Sequence, residues 1–490
     1  VDVIWAQIAP GEFTDFPRYA GSIKYLLGRK RATSETFAGM GLGLSGDLMR
    51  FITDHQVIRG INDFHLMYSS NKPPVHEVSP QMPNHMLQKP FGALIYKRIA
   101  NAAAISSMGE AVNRTAVYLP AYDFNRAQLG LRRVGITNAE RLPWEWVDQI
   151  AAYLTYTPID YCYIWQEALL ELDLAAGGLL TKGGQKIDTI IIPPGTTMNE
   201  FVINKLQQFM DKGGSVITVF KPVWPLMGQA IMCSEVDDLS KYLKAGVKVE
   251  SRGRISLSTR KLSNQTLYMF LNEVKQPTNA VIEFSDAGSV YEVNLTDLCL
   301  HPCKADQMRL TVDFEPMQLR VFLIDHQREL QVLAPPKPCL DEVVIASNWY
   351  AVLPTNETKH LSGELFPDWA QLGYPEYSGS LTYTAEFIWT SDKNKALLRA
   401  EQLYSHAEVF IDDQLVGRMA YRPYEITVDN LSPGKHRLTV VVYNTEANRM
   451  CGTLEIEKER YHGRFAHLAH YDRRRLKSGL LKPISIYPLA

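Results

Sequence analysis

The chain has 490 residues, enough for three or four domains of ~100–200 residues each. Charged residues make up 21%, hydrophobic residues 46%, and the net charge is −2; nothing in this balance favours nucleic acid or an anionic membrane as the main partner. No apolar run reaches the ~20 residues needed to span a bilayer. No signal peptide is visible. The chain opens on Val1-Asp2-Val3-Ile4-Trp5-Ala6-Gln7, which already reads as a buried strand. A fragment or a processed product is therefore expected, and the missing signal peptide carries no weight about compartment.

After Val1–Gln7, Asp15–Leu27 places Phe16, Tyr19, Ile23, Leu26 and Leu27 at helical spacing. Arg31–Glu35 reads as the next strand. Ser45–Arg59 is an amphipathic helix whose buried stripe is Leu48, Ile52, His55 or Gln56, and Ile58 or Arg59. Gly60–Tyr68 is a further strand, and Phe91–Met108 a further helix. Between them, Asn71–Pro90 is a long Pro-, His- and Asn-rich loop of the kind that shapes substrate sites. Strand, helix and strand in this order, with polar groups ending each strand, put those groups on one face of a parallel β/α array.

From about 110 to 250 the pattern is an open α/β sheet, probed by the apolar strands Thr115–Pro120, Asp188–Pro194 and Ser215–Phe220 and the helices Trp144–Thr155 and Asn199–Lys212. From about 250 the helices stop. Short alternating segments from Arg254 to Ile324 predict a β-sandwich. Gln331–Pro338 is a linker candidate. A second β block follows, with Gly379–Trp389, Lys395–Glu401, Glu408–Ile411, Tyr424–Val428 and Lys435–Asn444.

The six cysteines, Cys162, Cys233, Cys299, Cys303, Cys339 and Cys451, form no CxxC pair, which argues against a zinc site of standard spacing. Cys299 and Cys303 are spaced for a local disulfide in an exported protein, or are free thiols. Gly177–Lys186 is Gly-rich, but no Gly-Lys-Ser/Thr follows, so a P-loop fails. Arg473-Arg474-Arg475 with Lys477 reads as a solvated face.

Glu35 is the leading catalytic candidate. It ends a strand and precedes Gly39-Met40-Gly41-Leu42-Gly43, among small and apolar neighbours. The alternative is a carboxylate that only contacts substrate or pairs with Arg31. Asp63 and His65 lie two apart on one strand and point the same way. They either contact a ligand or stabilise the strand layer. Gln7 and Trp5 share a side of the first strand, as substrate contacts or, for Trp5, as core. Tyr68 is a candidate stacking platform. His76, Glu77 and His85 match no metal-ligand spacing. Trp349, Tyr350, Trp369, Tyr374 and Tyr377 either stack on a ligand or fill a sandwich core.

Ser34-Glu35-Thr36-Phe37-Ala38-Gly39, a helix, and Arg59-Gly60-Ile61-Asn62 resemble the end of the (β/α)8 barrel in large bacterial glycoside hydrolases. The nearest are the family 106 α-L-rhamnosidases and family 2-like relatives. Residues 110–250 resemble the glutamine-amidotransferase-like domain that follows the barrel in family 42 β-galactosidases. The last block resembles the galactose-binding jelly-roll of these enzymes. It does so through Trp369, Leu372-Gly373-Tyr374-Pro375, Tyr377-Ser378-Gly379, Val409-Phe410-Ile411-Asp412, Val416-Gly417, Arg422-Pro423-Tyr424, Val442-Tyr443-Asn444-Thr445-Glu446-Ala447-Asn448 and Ser478-Gly479-Leu480-Leu481.

The resemblance implies a multidomain α/β plus all-β chain. Residues 1–108 would be the C-terminal part of a (β/α)8 catalytic barrel, 109–250 a parallel open α/β domain, 251–330 a β-sandwich and 331–490 a jelly-roll with a tail. It implies a glycosidase acting on an oligo- or polysaccharide, with an α-L-rhamnoside or a galactoside as first substrate. The alternatives are a non-catalytic carbohydrate-binding or scaffold protein and a polysaccharide lyase. Such an enzyme needs two carboxyl groups. Glu35 would resemble the general base of an inverting enzyme, and the second carboxylate is expected upstream of residue 1. Calcium occurs in family 106 sites, but no carboxylate cluster here calls for it, so no cofactor is assigned. An oligomer and a periplasmic or secreted location are consistent with the resemblance. One departure is that the family has its His about two residues after the position of His65, where Met67 stands. The amidotransferase nucleophile is also absent, since Gly195-Thr196-Thr197 follows the strand and holds no Cys.

Overall fold

The structure is a computed structural model, and it describes residues 10–37, 43–66, 90–120, 145–220, 229–327, 330, 336–445, 447–450 and 476–490. The expected strand Val1–Gln7 and the loop after Leu66 lie outside the described residues. The chain divides into two compact units. One comprises Val1–Thr36, Phe51–His65 and Ala100–Val332; the other comprises Phe37–Arg50, Leu66–Ile99 and Leu333–Ala490. Mixed α/β structure with many sheets and few helices results. No helix among the described residues is long and apolar enough to cross a membrane.

The N-terminal elements are α1 (Phe16–Leu26), β1 (Thr33–Thr36), α2 (Gly46–Ile58), β2 (Asp63–Leu66) and α3 (Phe91–Ser107). They follow the expected order, with bounds within three residues. The expected buried faces are another matter. In α1, Phe16 is 42% exposed, while Arg18, Ser22 and Lys24 are buried. In α2 every residue from Met49 onward is buried, including Arg50, Thr53, Asp54, His55 and Gln56, as is Arg59 just beyond its end. The expected stripe Ile52, His55, Gln56, Ile58 and Arg59 is buried and Leu48 half-buried, but the amphipathic reading of α2 is corrected, because the side opposite that stripe is inside as well.

Arg18 and Arg59 stay buried because they are paired. Asp15 accepts from Arg18 Nε at 2.9 Å, Arg59 Nε at 2.8 Å, Tyr161 OH at 2.6 Å and Tyr163 OH at 2.8 Å. Arg59 also donates through Nη1 to Glu273 at 2.8 Å. Glu273 accepts further from Ser256 Oγ at 2.7 Å and Tyr156 OH at 2.9 Å. Burial works against the Arg18 charge, but Asp15 and the two tyrosines outweigh it and raise its pKa. His55 is driven well below its ordinary value, first by burial and then by Arg59 and Arg18. Close backbone approach completes this region. A Cβ on Gly21 of α1 would sit 2.1 Å from the Arg59 carbonyl oxygen, and Gly60 turns beside it at φ +97°.

The same unit holds a five-stranded, all-parallel sheet in the order Ile231–Cys233, Ser215–Val219, Thr189–Ile192, Thr115–Tyr118, Tyr161–Ile164. Its middle strands are buried throughout, as parallel strands covered on both faces must be. Helix Glu200–Asp211 begins at the N-cap Asn199, whose side chain accepts from the Val202 amide at 3.0 Å. Cys162 lies inside a strand, its thiol pushed up to about 12 by burial. The unit ends in two antiparallel sheets, of three and six strands, which share one apolar core around Phe270, Ile282, Val312 and Phe322. Glu110–Ala111, an edge strand from before the parallel sheet, pairs with Ile255–Lys261 in the larger of them.

The second unit is also a sandwich, of a four-stranded and a six-stranded antiparallel sheet. Its core is filled by alternate residues: along Ser380–Trp389, Leu381, Tyr383, Ala385, Phe387 and Trp389 are buried. The C-terminal strand Ser485–Pro488 runs between Val344–Ile345 and Ala396–Arg399. Asp47, in the first turn of α2, belongs to this unit. It accepts from the Arg422 amide at 2.7 Å and from Tyr424 OH at 3.1 Å.

Candidate functional site

β1 and β2 form a two-stranded sheet. The Asn62 and Asp63 amides both donate to the Ala32 carbonyl at 3.2 Å, and the Ala32 amide donates to Asn62 Oδ1 at 3.0 Å. Thr33 Oγ1 donates to Asp63 Oδ2 at 3.1 Å. These bonds set Thr33 against Asp63 on one face. Because side chains alternate along a strand, Glu35 and His65 share that face. The other face of β1 carries Ser34 and Thr36, both fully buried, with Thr36 Oγ1 3.4 Å from Gln56 Oε1 of α2.

The face that carries the candidates is the open one. Glu35 and Asp63 are half-buried and His65 is exposed. Strands ~4.8 Å apart, with two residues of ~3.3 Å advance between Thr33 and Glu35, place the backbone sites of Glu35 and Asp63 ~8 Å apart. Arg31, the residue that would pair with Glu35 in a purely structural role, instead has Nη1 3.9 Å from Asp63 Oδ2. Among the described residues no side chain hydrogen-bonds the Glu35 carboxylate.

Trp5, Gln7, Tyr68, His76, Glu77 and His85 lie outside the described residues. Thr33 and Asn62 are not singled out by the sequence. The one signal is the two-residue spacing of Thr33 from Glu35. Asn62 also donates through Nδ2 to the Lys30 carbonyl at 3.0 Å and Ser107 Oγ at 2.9 Å, tying β2 to both neighbours. Among the described residues no group of three or more His, Cys, Asp or Glu is placed to hold a metal ion. Cys299 and Cys303 are free thiols. Of the sandwich aromatics, Trp349 and Trp369 are core residues, Tyr374 and Tyr377 pack against that core, and Tyr350 is 40% exposed.

β1 and β2 thus gather two carboxylates and an imidazole on one open face, in a chain of parallel and sandwich sheets. No family model and no curated protein matches the sequence. Among solved structures, a rhamnosidase from Novosphingobium sp. PP1Y is similar over 99% of this chain and 50% of its own, with a TM-score of 0.66 and 14% identity. A GH42 beta-galactosidase from G. stearothermophilus is similar over 66% of this chain and 58% of its own, at a TM-score of 0.44 and 9% identity. An exo-carrageenase GH42 from Bacteroides ovatus is similar over 62% and 44%, at 0.41 and 11%. Only the first likeness bears on the fold. This chain spans half the length of that rhamnosidase.

Proposed function

We propose that this chain is part of a glycoside hydrolase, and that Glu35 is one of its two reacting carboxyl groups. The reading is supported by one observation above the rest: Glu35, Asp63 and His65 share the open face of β1 and β2, in a chain whose whole length is similar in fold to a rhamnosidase. β1, α2 and β2 are then two strands and a connecting helix of a (β/α)8 barrel, and the open face is turned toward the barrel mouth. An α-L-rhamnoside or a galactoside is the first substrate to test.

Cleavage needs a proton for the leaving oxygen and a carboxylate that activates water or attacks the sugar. Glu35 takes one of these roles. Asp63 has Oδ2 engaged by Thr33 and faces Arg31, which suits it to accept a substrate hydroxyl through its other oxygen. Among the described residues it is also the other carboxylate on that face of the two strands. His65 completes the face as a hydroxyl ligand. Gln7, Trp5 and Tyr68 remain proposed as further substrate contacts.

The test is a panel of nitrophenyl glycosides given to the intact natural protein and to Glu35→Gln. Hydrolysis in the wild type that falls at least a hundredfold in the variant is expected. Unchanged hydrolysis sinks the assignment of Glu35. Sugar binding without hydrolysis in either protein favours a non-catalytic carbohydrate-binding protein on the same fold.

A further inference from the structure

The six-stranded sheet of the second unit has an inner face that is core and an outer face that is not. Trp349, Ala351, Tyr383, Ala385, Val409 and Val440 point inward. The residues between them point outward. In register, His360 lies beside Tyr350, Tyr350 beside Thr384, Thr384 beside Thr439, Thr439 beside Phe410, and Phe410 beside Leu415. The result is one row that crosses all six strands.

Tyr350 is 40% exposed and Leu415 42% exposed; His360 is exposed, and Thr384, Thr439 and Phe410 are half-buried. The Tyr350 and His360 rings meet edge to face, 5.1 Å apart. The charges beside the row are already paired. Lys435 is 2.8 Å from Glu386 and Arg418 is 2.8 Å from Glu408, whose other oxygen accepts from Tyr443 OH at 3.1 Å.

We propose that this row binds a neutral oligosaccharide and performs no chemistry on it. A pyranose ring offers an apolar face to an aromatic side chain and hydroxyls at its edge. The row supplies the same two things in the same order: aromatics at Tyr350 and Phe410, hydroxyls at Thr384 and Thr439 between them. One strand step of ~4.8 Å is close to the length of one sugar unit, so Tyr350 and Phe410, three strands apart at ~14 Å, span three to four units. The paired charges leave no net sign to hold an anionic polymer. A protein partner would call for an apolar centre with a polar rim, whereas here the centre of the row is two hydroxyls.

The experiment uses the intact natural protein in affinity electrophoresis and titration calorimetry. The probes are three neutral polysaccharides (β-1,4-galactan, galactomannan and xyloglucan) and anionic polygalacturonate. At least one neutral probe is expected to bind in preference to polygalacturonate. Tyr350→Ala should weaken that binding about tenfold, and Thr384→Val with Thr439→Val about threefold. Tyr350→Ala should leave nitrophenyl-glycoside hydrolysis unchanged, while Glu35→Gln leaves polysaccharide binding unchanged; failure of the strip and failure of the glycosidase reading are thus separable. The proposal is overturned if no neutral probe binds, if polygalacturonate binds better, if Tyr350→Ala binds within twofold of wild type, or if Tyr350→Ala alters the sedimentation of the protein instead of its sugar binding.

Discussion

Replacing Arg59 by Met tests whether buried pairing, and not apolar burial, holds the first unit together. The Arg59 side chain is 0% exposed, and those of its two partners, Asp15 and Glu273, are each 2% exposed. Two cations, Arg18 and Arg59, here balance two carboxylates. Loss of Arg59 still leaves Asp15 with Arg18 and two tyrosine hydroxyls. Glu273 fares worse. It keeps Ser256 and Tyr156 but no cation, and so becomes an uncompensated buried charge. Breaking a pair of this kind costs about 3–5 kcal/mol, against about 0–1 kcal/mol for an exposed pair. Urea unfolding followed by fluorescence should show that loss. Adding Glu273→Gln to Arg59→Met removes the orphaned charge and should recover at least half of it. A loss below about 1 kcal/mol, or a double variant no more stable than the single one, refutes the reasoning.

Other perturbations follow from the same packing. His55 has a folded pKa well below its unfolded value, so the unfolded chain binds the extra proton and stability falls as pH drops below about 6.5. His55→Phe should remove that part of the pH dependence, read as a smaller difference in urea midpoint between pH 5 and pH 7.5. Gly21→Ala should cost about 1–3 kcal/mol, because its Cβ would meet backbone 2.1 Å away; a thermal midpoint within 1 °C of wild type would contradict the close approach. Arg31→Met should change stability by less than about 1 kcal/mol, since Arg31 is 78% exposed and 3.9 Å from Asp63. Any larger effect should fall on substrate affinity, checked as a rise in KM for whichever nitrophenyl glycoside is cleaved.

Much of the element order is legible in the chain. β-rich runs bounded by turn signals place the sandwich strands, and Gln265–Asn272, buried almost throughout, and Ser380–Trp389, which alternates, lie where those signals put them. Tyr161–Ile164 and Ile231–Cys233 are not found that way, because each is too short to show a period and takes its place only from parallel neighbours. The closing Ser485–Pro488 segment is likewise a strand only by virtue of its two partners.

The sequence by itself determined most of the elements, the order of those it showed and the presence of a Glu near a strand end. It also determined which strands have one apolar face, since that is written in alternation. Tertiary structure alone decided which polar residues go inside. Periodicity leaves Arg18 off the buried stripe of its helix and offers His55 or Gln56, and Ile58 or Arg59, as alternatives on the next; Asp15 and Glu273, the latter 214 residues from Arg59 along the chain, pair with Arg18 and Arg59 and let both cations be buried. Tertiary structure likewise set Thr33 against Asp63, and so put Glu35, Asp63 and His65 on one face. Side chains 30 residues apart can share a site only when strand pairing fixes their register, and register is a property of the pair and not of either strand.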